Sequence, residues 1–156
     1  MINYIKDLIY LRIKFLFFIL YIMKNKECVI SSLFFLINAI IAYKYKYYNC
    51  YYSYIFLTFT SIIHHYYFTN YTRFIDFIAI LIMLYYTIDI YNEKINKITN
   101  LENCFCCLMY CLIIYLYLYG YFINKYCFDK NHTVACLHHS LMHLITVITH
   151  NIFIMI

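Results

Sequence analysis

Long apolar runs separated by short polar breaks organise this chain. The clearest run about Val29 to Tyr43, Tyr52 to Phe68, Phe74 to Tyr91, Phe105 to Ile123 and Thr133 to Ile156, each bounded by Lys, Arg, Asn or Glu. A bilayer core is crossed by roughly 20 consecutive apolar residues in a helix, so these five stretches are predicted membrane spans. An earlier stretch, Leu8 to Met23, carries Arg12 and Lys14. It is either a sixth span or an amphipathic helix lying on the membrane surface. The expected fold is all-α, a polytopic transmembrane bundle of five or six spans forming one domain over residues 1–156, with no internal repeat or linker.

Composition agrees. Of 156 residues, 66% are hydrophobic and 12% charged, against roughly 25% charge in soluble domains. Gly occurs once and Pro and Trp never, a bias that an AT-rich genome produces. The helices thus have few of the small residues that let membrane helices approach closely, and packing is expected to rest on large aromatics. The net charge of +5 is scattered through short loops and forms no basic patch, which excludes nucleic acid as a partner. The eight cysteines include Cys104, Cys106, Cys107, Cys111 and Cys136 in or beside apolar runs. Thiols there behave as small hydrophobes, although the Cys104 to Cys111 cluster also fits lipidation or a metal.

Charge gives only a conditional orientation. With Leu8 to Met23 on the surface, Lys6, Arg12, Lys14, Lys24, Lys26, Arg73, Lys125 and Lys130 share one side, against Lys44, Lys46, Lys94 and Lys97 on the other. The richer side is then cytoplasmic. If that stretch crosses, the bias largely disappears. It has no small-residue cleavage site, so the expected location is an endomembrane (endoplasmic reticulum or Golgi) or a host membrane.

Ionisable side chains inside spans are costly and mark functional sites. Ser61 and His65 are four residues apart near the end of one predicted span, and therefore share a helix face. Asp76 begins the next span, and His139 and His143 repeat the four-residue spacing near the start of the last. Counting crossings places all three elements on one side of the membrane at similar depth. Three imidazoles from two helices suit Zn²⁺ with its fourth position open to water, which becomes a nucleophile near neutral pH. Asp76 is placed to exchange the proton and Ser61 to hydrogen-bond the water or an oxyanion.

Ser61-Ile-Ile-His64-His65, then Asp76, then His139-Ser-Leu-Met-His143 in the last span resembles the CREST superfamily. That group includes alkaline ceramidases, progestin and adipoQ receptors and GPI-remodelling lipid hydrolases, seven-span proteins with a buried zinc. The resemblance covers about Val29 to Ile156 and implies zinc on His65, His139 and His143, Ser61 and Asp76 around the bound water, and hydrolysis of an amide or ester bond in a membrane lipid. His64 and His138 have no counterpart in the motif. Only Phe105 to Ile123 intervenes between the Asp76 helix and the last one, where the family has three helices, so two are missing and the lipid cavity has fewer walls.

Other readings stand beside this one. The histidines can be interfacial caps, and His132, His139, His143 and His150 form a stripe that fits a polar seam or a homo-oligomer contact. The His64-His65 and His138-His139 doublets also fit haem or a di-iron centre, though such sites need more histidines than this. Asp76 can pair with Arg73 one turn away, and Asp89 is expected to be solvated. A small multi-span protein without catalysis, receptor-like or part of a viral host-membrane apparatus, is the alternative function.

Overall fold

A computed structural model describes residues 26–156, so the stretch Leu8 to Met23 lies outside the described residues. All regular structure there is helical: α1 (Lys26–Ser32), α2 (Phe35–Lys44), α3 (Tyr48–Tyr67), α4 (Asn70–Lys94), α5 (Asn100–Ile114), a π-helical turn (Tyr115–Tyr119), α6 (Gly120–Ile123), a 3₁₀ turn (Tyr126–Phe128) and α7 (His132–Met155). Helices begin earlier than the apolar runs that announce them. α4 starts at Asn70 because the Thr69 hydroxyl accepts from the Thr72 backbone N–H while Thr72 answers the Thr69 N–H, a reciprocal cap. Thr99 and Glu102 form the same device at the head of α5.

Among the described residues, three helical segments are both long and apolar enough to cross a membrane: Glu27–Lys44, Asn70–Lys94 and Asn100–Ile123. Helices α3 and α7 have 20 and 24 residues, about 30 Å or more at 1.5 Å per residue. Their Ser, Thr and His side chains lower their hydropathy, and these are the residues that build the site.

Glu27–Lys44 is stepped rather than straight. The Ser31 and Ser32 hydroxyls both donate to the Cys28 carbonyl, at 3.0 and 2.8 Å, competing with the backbone ladder. The next turn is tight, with Leu33 N–H bonded to Ile30 O and Phe34 N–H to Ser31 O. At the α3–α4 connection Phe68 takes a left-handed conformation (φ 51°), its N–H bonded to the His64 carbonyl. This turn reverses the chain three residues beyond His65.

The helices meet through small residues as well as large aromatics. Ala39, Ala42 and Ala79 are buried in one core with Phe35, Cys50, Tyr54, Leu57, Met83, Ile90, Val147 and Ile154, so backbones approach closely where the few alanines fall. Many Tyr, Phe, Ile and Leu side chains point outward, among them Ile40, Phe59, Phe74, Leu108 and Phe122, a surface suited to lipid. Of the clustered thiols only Cys106 is buried, while Cys104, Cys107 and Cys111 are exposed. The packing role expected for the cluster therefore holds for Cys106 alone.

Candidate metal centre

α3 ends and α7 begins at the same end of the bundle, and their histidines meet there. One ligand nitrogen from each of His65, His139 and His143 falls within 4.8 Å of the others. The His139 and His143 rings, one turn apart on α7, have centroids 4.6 Å apart; the His65 ring is 4.7 Å from His139 and 5.6 Å from His143. His65 and His143 are buried, His139 partly so. The Phe35 ring closes the α2 side at 5.0 Å from His143.

The orientation of His143 can be read from its neighbours. Its Nδ1 lies 3.0 Å from the Ser31 hydroxyl. With the Ser31 proton on the Cys28 carbonyl, 3.0 Å away, the Ser31 oxygen accepts from Nδ1–H and the His143 Nε2 keeps its lone pair. Such outer partners fix tautomer and ring direction at metal sites. Ser31 was not among the sequence candidates. Its signal was available: a serine pair interrupts an otherwise apolar run.

The other candidates are differently placed. Ser61 is buried, and its hydroxyl bonds Ser32 at 2.9 Å. With the Ser32 proton on the Cys28 carbonyl, Ser61 donates to Ser32. Asp76 is 8% exposed and accepts from the Thr60 hydroxyl at 2.9 Å; the carboxylate is thus engaged by α3 through the residue preceding Ser61. Among the described residues no carboxylate joins the three-histidine group. Asp89 is exposed.

The remaining histidines have local partners. His64 stacks on Phe68 with centroids 5.2 Å apart and reaches Thr72 at 3.4 Å. His138 donates to the Val134 carbonyl at 2.8 Å. His132 lies 3.6 Å from the Cys136 sulfur. The stripe on α7 therefore splits: His139 and His143 belong to the three-histidine group, while His132 and His150 sit near opposite ends of the helix. No family model, curated protein or solved structure matches the chain.

Proposed function

We propose that this chain is a membrane-embedded, zinc-dependent hydrolase acting on an amide or ester bond of a lipid, with five or six spans once α3, α7 and Leu8 to Met23 are counted. The observation that carries the proposal is the convergence of three imidazoles from two helices, with Ser31 holding one of them ready to ligate. Neutral nitrogen donors suit Zn²⁺, and three of them leave a fourth position open, the pattern of catalytic rather than closed structural zinc. His65, His139 and His143 would hold the ion, which supplies the Lewis acidity that makes water a usable nucleophile near neutral pH.

The chain's own residues do the rest. Asp76 is the buried carboxylate among the described residues and serves as the proton acceptor, steadied by Thr60. The Ser61 hydroxyl, at the end of the Ser32–Cys28 chain, turns from Ser32 to the substrate oxygen. The exposed apolar side chains of α3 and α4 let a lipid approach laterally, so its scissile bond enters at the depth of the histidines.

Zinc measured by mass spectrometry in detergent-purified protein is expected at about one ion per chain and absent from the His139→Ala, His143→Ala double variant. A metal-free wild type sinks the reading. A second reading has its own support: Asp76 and Ser61 are bonded to Thr60 and Ser32, which suits a non-catalytic protein with structural zinc. Asp76→Asn separates the two. It keeps zinc and loses lipid hydrolysis if the hydrolase reading holds; zinc-loaded wild type that cleaves no lipid amide or ester favours the structural one.

A further inference from the structure

Buried polar residues lie at two levels of the same three helical segments. Ser31, Ser61 and His143 mark the first level. Seven residues along Glu27–Lys44 from Ser31 is Asn38; seven back along α3 from Ser61 is Tyr54; seven along α7 from His143 is His150. Seven residues are two helical turns, so the second level lies about 10 Å deeper in the bundle. Thr87 of α4 joins it.

The second level centres on the Tyr54 hydroxyl. It lies 2.8 Å from Nδ1 of His150 and 3.5 Å from the Thr87 oxygen, and the Asn38 side chain is beside it. Thr87 spends its own proton on the Met83 carbonyl. Asn38, Tyr54 and His150 are each 0% exposed. Yet among the described residues neither amide atom of Asn38, nor Nε2 of His150, meets a protein partner at full hydrogen-bond geometry, the approach of Asn38 to Tyr54 included. Buried polar atoms in native proteins are almost always paired, with protein or with ordered water, and the demand is strictest at membrane depth.

The chemistry of these atoms selects the ligand. Asn38 presents a donor and an acceptor together. Nε2 of His150 carries a proton if Tyr54 donates to Nδ1, and a lone pair if Tyr54 accepts. A cation would answer only the acceptors and an anion only the donors, whereas water answers every case with up to four hydrogen bonds.

We propose that Asn38, Tyr54 and His150 form a second polar centre that binds ordered water in the bundle core. It is separate from the histidine group and stands whether or not that group holds a metal. The test is water-to-protein magnetisation transfer by solid-state NMR on the wild-type chain in lipid, with Leu57 and Ile154, equally buried apolar neighbours, as dry references. The Asn38 amide and the His150 ring are expected to receive water magnetisation well before Leu57 and Ile154. Asn38→Leu is expected to lower Tm and weaken the His150 signal, because it strands the shared water. Asn38 and His150 as dry as Leu57 overturn the proposal, and so does an Asn38→Leu chain that gains Tm. If Asn38→Leu fails to fold, the wild-type transfer rates decide alone.

Discussion

Replacing Ser31 by Ala deletes one oxygen, 3.0 Å from Nδ1 of His143, and leaves all three proposed ligands in place. With that oxygen, the His143 ring is held in one tautomer and one direction; without it, neutral His143 can place its proton on either nitrogen and turn. A buried donor left without its acceptor costs about 1–3 kcal/mol, and 1.4 kcal/mol corresponds to a factor of ten. Zinc affinity should therefore fall roughly 10- to 100-fold, the range typical for losing an outer-shell partner of a metal-bound histidine. The assay is competition against a chromophoric chelator in detergent, with Ser32→Ala as control. Ser32 hangs on the same Cys28 carbonyl but bonds Ser61, so its loss should leave zinc affinity near wild type. Unchanged affinity in Ser31→Ala would refute the orientation argument, as would an equal loss in Ser32→Ala.

Three further outcomes follow from packing and exposure. A Cβ at Gly120 would lie 2.8 Å from the Lys125 carbonyl oxygen, so Gly120→Ala should force the 124–126 turn away and cost about 1–3 kcal/mol, read as a lower Tm in detergent. Lys94 is buried, donates to the Ile154 carbonyl and lies 5.0 Å from the Tyr47 ring centre; Lys94→Met should destabilise the chain by about 1–3 kcal/mol, and an unchanged Tm would show the contact to be idle. Burial pushes the Cys127 thiol up to about 11, so it is almost wholly protonated at about pH 8 and should react with maleimide more slowly than Cys104, which is exposed at the head of α5. Its rate should climb as pH approaches that value, and equal rates at about pH 8 would contradict its placement.

The helical class was legible because apolar runs of spanning length leave few alternatives. The pairing of His65 with His139 and His143 was legible too, since four-residue spacing and a count of crossings bring those helix ends together. Asp76 is fixed less closely by that reasoning. Crossing counts place a residue at a depth but not around a helix axis, and Asp76 faces Thr60. Ser31 escaped notice because serine in an apolar run reads as filler until its hydroxyl is seen against His143. Asn38 and Tyr54 carry no spacing signature within their own helices, and His150 reads only as the end of the α7 histidine stripe; the relation of the three exists only across helices. The expectation of aromatic packing holds at Phe35 and Tyr54 but not at Ala39, Ala42 and Ala79, because composition counts residues and does not say where they fall.

The three-histidine group also sets an order in time. His65 leaves the ribosome long before His139 and His143, with α4 through α6 synthesised between. A nascent chain lacking α7 can offer one ligand of the three and would hold zinc weakly, if at all. Tight zinc uptake would then be a property of the finished bundle, and the ion would act as a late latch between an early helix and the final one, drawing them together only after every intervening segment is in place.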